Sequence, residues 1–301
     1  MIVMRRLIIA LAVAALVQPA GAQEEAPARQ LTGTLKKIAS SGTVIIGYRE
    51  ASFPFSYLDP KGNPIGYSID LCRAIIDEIG REIDNSHIRT DFALVTSETR
   101  IPALLAGKVD FECGSTTNNV ERQKQAAFSP IIYVTGTKLM VRRGSGIKSY
   151  RDLKGKVVVV TAGTTNEQAI KRLDEKQKLG INVVSARDHE ASYSLVADGK
   201  ADAFATDDVL LYGFIARRQA QREFIVVGDY LSYDPYGIMF RRDDPQLAEV
   251  VQTTFRQLAE SRDLLETYHR WFIRRTPTGE RLNLPMNAQL AEVFRVLGLP
   301  E

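Results

Sequence analysis

Phe111-Glu112-Cys113-Gly114-Ser115-Thr116-Thr117-Asn118-Asn119-Val120-Glu121-Arg122 compresses a strand, a turn and a helix start into one short stretch. The apolar run from Val109 to Cys113 reads as a buried strand, and it breaks into a turn rich in glycine and hydroxyls. Asn118 is the expected helix cap, with Glu121 three residues on as its capping-box partner. A strand that ends in free backbone N–H groups, hydroxyls and an arginine suits a small anion, above all a carboxylate. No nucleophile or acid–base pair accompanies the turn, which favours binding over chemistry.

Working outward, the same alternation continues in both directions. Upstream lie a strand at Thr43 to Tyr48, a helix at Ser68 to Arg81 and a strand at Phe92 to Val95; a helix carrying Leu104 and Leu105 then leads back to Val109. Ile69, Cys72, Ile76 and Ile79 fall on one face of the Ser68 helix. Downstream of Ile131 the pattern restarts, with strands at Val157 to Thr161, Ile181 to Ser185, Ala203 to Thr206 and Phe224 to Val227. Helices at Thr165 to Lys178, His189 to Gly199 and from Asp207 separate them. Such βα alternation predicts an α/β fold of mostly parallel sheets flanked by helices. The junctions Gly107-Lys108-Val109-Asp110-Phe111 and Gly199-Lys200-Ala201-Asp202-Ala203 echo each other, which favours two similar lobes.

Extended stretches at Thr137 to Met140 and Tyr236 to Phe240 bracket the second unit and are read as two hinge crossovers. Lobe 1 is then 23–136 plus 240–301, and lobe 2 is 137–239. Helices at Pro245 to Ser261 and Leu264 to Ile273 return to lobe 1, and a ligand belongs in the cleft outside the carboxyl ends of the strands.

The N-terminus reads as an address. Arg5-Arg6 precede an apolar run from Leu7 to Val17, and Ala20-Gly21-Ala22 fits a small-residue cleavage site. Residues 1–22 are therefore expected to be a cleaved export signal, followed by a polar linker to Gln30. The run falls short of the roughly 20 residues a membrane-spanning helix requires. Removing the signal takes the formal charge from +3 to +1, which gives no support for nucleic-acid or membrane-surface binding. Cys72 and Cys113 are the two cysteines. A disulfide is open to them in an oxidising compartment, while a helix face and a strand end are ordinary places for two buried free thiols.

Several segments together resemble one family: Pro54-Phe55-Ser56-Tyr57, Gly66-Tyr67-Ser68-Ile69-Asp70-Leu71, Ile101 through Asp110, Asp152-Leu153-Lys154-Gly155-Lys156 and Tyr268-His269-Arg270-Trp271-Phe272. In that order they are similar to the periplasmic solute-binding proteins of ABC-type amino-acid importers. The opening stretch, extended through Gln123-Lys124-Gln125-Ala126-Ala127-Phe128-Ser129, resembles the glutamate/aspartate-binding subgroup. The resemblance implies a two-lobed periplasmic-binding-protein fold, a monomer in the periplasm, and membrane permease subunits as partners. It implies no cofactor, metal or catalytic residue.

By resemblance Arg122 clamps the ligand's α-carboxylate, in keeping with the match between a guanidinium and two carboxylate oxygens. Ser115 and Thr117 complete that pocket. Across the cleft Thr164 and Thr165 begin a second helix, with Gln168 three residues on, and by family position Asp207, rather than Asp208, takes the ammonium. Arg49 and Arg100 remain as unmatched cations near strand ends, and they imply a second carboxylate on the ligand. Ser97 and His189 are candidates to donate to it. Ser52 stands where many relatives place a stacking aromatic. L-glutamate or L-aspartate is the expected ligand. A neutral ligand such as glutamine would leave Arg49 and Arg100 desolvated without an anion. A cyclohexadienyl-dehydratase-like enzyme would need a free cleft acid, whereas Asp207 is already assigned to the ammonium. A receptor sensor module would need a membrane span, and no later segment is apolar enough.

Overall fold

A computed structural model describes residues 30–300, so the export-signal reading of residues 1–22 and nearly all of the linker lie outside the described residues. Two five-stranded sheets organise residues 31–300. In the first, the order is Arg89–Leu94, Thr43–Tyr48, Phe111–Glu112, Met239–Arg241 and Ala126–Phe128. In the second it is Asn182–Ala186, Val157–Thr161, Ala203–Asp207, Thr137–Arg142 and Phe224–Val227. Each sheet has three parallel strands joined to antiparallel partners. Parallel strands covered on both faces need apolar side chains on both, and Val158, Val159 and Val160 are all fully buried.

One expectation about the crossover changes. Thr137–Arg142 does not bracket the second unit but runs inside its sheet, between Ala203–Asp207 and Phe224–Val227. The physical reason is its own composition. Leu139, Met140 and Val141 are buried in succession, which an interior strand with two covered faces accommodates. The chain crosses just outside, where Tyr133–Thr135 pairs antiparallel with Asp234–Tyr236. Tyr133 and Tyr236 anchor this pair in an aromatic cluster with Phe55, Tyr67, Tyr268 and Phe272. Burying such a side chain contributes about 1.5–3 kcal/mol, so the crossing strands are tied to the first sheet's core.

Helix Tyr67–Glu82 packs on that core through Ile69, Cys72, Ile76 and Ile79, as its periodicity predicts. Its Cys72 is bonded to Cys113, with a Cα separation of 6.4 Å. The reading as two free thiols is thereby replaced: the helix lies over the strand so that one sulfur meets the other. Ser68 Oγ donates to Gly114 O at 2.7 Å, and this second link joins the same helix to the glycine- and hydroxyl-rich turn after Cys113.

The caps also shift slightly. Asn118 N donates to Pro235 O, and Asn119 caps the short helix Val120–Gln123 by accepting from Arg122 N. At Thr165–Gln177 the reciprocal acid is Glu167 instead of Gln168; it accepts from Gly163 N at 2.9 Å while Thr164 Oγ1 accepts from Glu167 N. Among the described residues no helix is long and apolar enough to cross a membrane.

Candidate functional site

Ser97, Arg100, Ser115, Thr117, Thr164, Thr165, Asn166, His189 and Asp207 line a single, nearly closed pocket of about 10 Å³. Every one comes from a strand end, a turn or a helix start. First-sheet connections supply Ser97 to Thr117, and second-sheet connections supply Thr164 to Asp207. The two sides touch where Thr117 Oγ1 lies 3.2 Å from Thr165 Oγ1. Close approach also requires glycine at Gly163, whose φ is +74° and where a Cβ would stand 2.8 Å from Glu98 Cγ.

Eight of the ten sequence-predicted residues line this pocket; Arg49 and Arg122 do not, but each is bonded to a residue that does. Arg49 Nη2 donates to Ser97 Oγ at 2.9 Å, and Arg122 Nη1 donates to Thr117 O at 2.9 Å. Arg100 Nη1 donates to Thr116 Oγ1 at 2.6 Å. All three arginines are buried, with exposures of 2%, 2% and 8% for Arg49, Arg100 and Arg122. Arg49 Nη1 and Arg100 Nε are buried without a hydrogen-bond partner in the protein. Native structures rarely leave such donors unanswered, so they point to an acceptor supplied from outside the chain.

Burial weakens each charge. It pushes the Arg49 guanidinium down to about 10 and Arg122 to about 9, with the charge of Arg100 as the next cause in both. Arg100 itself is lowered by burial. Opposite them, Asp207 is pushed up to about 8 by burial and then by Asp234. Its carboxylate accepts from Asn166 Nδ2 at 2.9 Å and from the Tyr236 hydroxyl. Neither Asn166 nor Tyr236 was foreseen. Asn166 is fixed between Asp207 and Thr137 Oγ1, which it reaches at 2.7 Å.

A hydroxyl chain sets the tautomer of His189. Ser192 Oγ donates to Asp188 O at 2.9 Å, so it accepts from Thr161 Oγ1. Thr161 Oγ1 must then accept from His189 Nδ1, 2.8 Å away, leaving Nε2 as the bare nitrogen of a neutral ring. The imidazolium is disfavoured by burial and by Arg49 and Arg100. A donor role for His189 Nε2 therefore requires that the ring take up a proton from solvent when an anion binds beside it. The hydroxyl of Thr164 is occupied, since it donates to Thr161 O at 2.7 Å and caps its helix. What Thr164 and Thr165 offer is the first turn of a helix, whose N–H groups lack intrahelical partners.

A pocket lined by buried Arg100 and braced by two more arginines on one sheet's loops, with an aspartate and a helix start on the other's, is a ligand-binding cleft of the periplasmic-binding-protein fold. The chain belongs to the bacterial extracellular solute-binding proteins, family 3, whose profile matches residues 44–274. It is 43% identical over 269 residues to the L-glutamate/L-aspartate-binding protein of Pseudomonas aeruginosa, covering 89% of each chain. To the glutamate/aspartate import solute-binding protein of Escherichia coli it is 41% identical over 289 residues, covering 96% of this chain and 95% of the other. Among solved structures it is similar to a mutant of ArgBP from T. maritima, with a TM-score of 0.71 at 28% identity. That match covers 80% of this chain and 100% of the other.

Proposed function

We propose that this protein captures an acidic amino acid, L-glutamate or L-aspartate, by closing two lobes around it, and that it delivers the ligand to the membrane subunits of an ABC importer. It acts as an exported periplasmic monomer, and its hinge is the Tyr133–Thr135 and Asp234–Tyr236 pair. Residues 137–239 form the second lobe apart from the few that return to the first sheet, and the remaining described residues form the first. Arg122, Ser115, Thr117 and the helix start at Thr164 and Thr165 take the α-carboxylate. Asp207 takes the ammonium. Arg49, Ser97, Arg100 and a protonated His189 take the distal carboxylate.

The observation that carries this reading is the pair of buried, unanswered donors Arg49 Nη1 and Arg100 Nε. A diacid answers both with charge-assisted bonds, whereas glutamine presents a neutral amide. The same groups couple binding to closure. In this form three guanidinium groups are buried and Asp207 is raised towards neutrality, a cost that a ligand with matching charges would offset. The named relatives at 41–43% identity are binding proteins, and Asp207, the one acid lining the pocket, is held by Asn166 and Tyr236.

A thermal-shift screen of the twenty amino acids tests the proposal. L-glutamate and L-aspartate should raise the midpoint most. Stabilisation by neutral or basic amino acids alone would refute the ligand class, and turnover of prephenate or arogenate would refute binding as the sole role.

A further inference from the structure

Glu112 is the second residue of the Phe111–Arg122 stretch and makes none of the proposed ligand contacts. Its exposure is 0%, between the equally buried Phe111 and Cys113. Glu112 Oε2 accepts from Thr116 Oγ1, which in turn accepts from Arg100 Nη1 at 2.6 Å. Glu112 Oε1 is buried with no hydrogen-bond partner in the protein. Gly114 lets the Glu112 carboxylate and the stem of Arg49 pack against one α-carbon: a Cβ there would lie 2.4 Å from Glu112 Oε1 and 2.8 Å from Arg49 Cγ. The substitution-free α-carbon is thus the reason both side chains fit on one side of the turn.

We infer that Glu112 is a positioning and specificity-determining residue: it seats Arg100 through Thr116 and cancels one charge of the arginine triad, so that the site's preference for an anionic side chain is bounded. The inference rests on the proposed acidic ligand and names a residue that tunes it. The charges around Glu112 support the assignment. Its field favours the charged forms of Arg49, Arg100 and Arg122, which come from three different elements. The same arginines also face Asp188, Asp207, Asp234 and Tyr236, while His189 feels Arg49 and Arg100. Of the acids, only Glu112 is bonded to a residue that holds Arg100.

Glutamate and glutamine differ by one negative charge at almost constant shape, so their affinity ratio reads the field at the distal group. Glu112→Gln keeps an acceptor for Thr116 and removes a negative charge from a desolvated site. The ratio Kd(glutamine)/Kd(glutamate) should rise by about tenfold or more. Glu112→Asp, which keeps the charge, should stay within about threefold of the parent. Thr116→Val cuts the relay and keeps Glu112; it should weaken glutamate binding by about tenfold. Calorimetry on the full chain, with melting of each unliganded variant as the folding check, gives all three values. A ratio that is unchanged or lowered in Glu112→Gln overturns the inference, as does Thr116→Val binding glutamate like the parent. If Glu112→Gln does not fold, the Thr116→Val result alone decides. A parent protein that binds no acidic amino acid would instead defeat the proposed ligand.

Discussion

Replacing Arg100 with methionine separates recognition of the side chain from recognition of the amino-acid head group. Arg100 is 2% exposed, its Nη1 is held by Thr116, and its Nε has no partner in the protein. In a complex with a diacid it faces a desolvated carboxylate, and removing one member of a buried charge pair costs about 3–5 kcal/mol. At about 1.4 kcal/mol per decade, glutamate affinity should fall by roughly two to three and a half decades. Glutamine would lose a bond between the guanidinium and a neutral amide, about 1.5–3 kcal/mol, or about one to two decades. Partial compensation comes from relief of repulsion, because Arg100 lowers the charged forms of both Arg49 and Arg122. The unliganded protein should therefore melt no lower than the parent, since Arg49 and Arg122 remain to balance Glu112 and are relieved of a third buried cation. Isothermal titration with both ligands, plus melting without ligand, measures every quantity. Equal losses for glutamate and glutamine would refute the assignment of Arg100 to the distal carboxylate.

Three further outcomes follow from the same geometry. Arg122→Ala should abolish binding of glutamate, aspartate and glutamine alike in titration calorimetry; selective loss of the diacids would move Arg122 out of the α-carboxylate pocket. Asp207 is raised to about 8 in the folded protein against about 3.9 unfolded, so the folded form binds the proton more tightly and stability falls as pH rises between those values. In melting curves of unliganded protein, the midpoint of Asp207→Asn relative to the parent should climb through that window; a flat difference would show that Asp207 is not desolvated. The disulfide spans a sequence separation of 41, for which loop-closure entropy predicts about 4 kcal/mol. Its reduction should lower the melting midpoint by roughly 8–15 °C, and an unchanged midpoint would mean that the pair is not bonded in solution.

Much of this was legible because buried parallel strands advertise themselves. Thr43–Tyr48, Val157–Thr161 and Phe224–Val227 match their predicted bounds, each being a short apolar run closed by turn residues. Caps were harder, since Asn118 and Asn119 are equally able to cap, and it is Asn119 whose side chain accepts from Arg122 N while Asn118 N is drawn to Pro235 O. Thr137–Arg142 was misplaced because a two-faced apolar strand looks the same inside a sheet or beside it. Glu112 escaped notice although the signal existed: it lies between Phe111 and Cys113 in a strand covered on both faces, where no side chain reaches solvent. Asn166 and Tyr236 had no such signal, as each acts through a partner distant in sequence. The pairing of Cys72 with Cys113 depends on a helix-to-strand distance that spacing does not encode.

The central claim is that buried arginines beyond the head-group pocket select a second carboxylate. Titration of the parent protein with L-glutamate and with L-glutamine, at one pH and salt concentration, tests it most directly. The account predicts that glutamate binds at least about a hundredfold more tightly, as expected when a charged, desolvated partner is exchanged for a neutral one. Equal affinities, or tighter binding of glutamine, would contradict it.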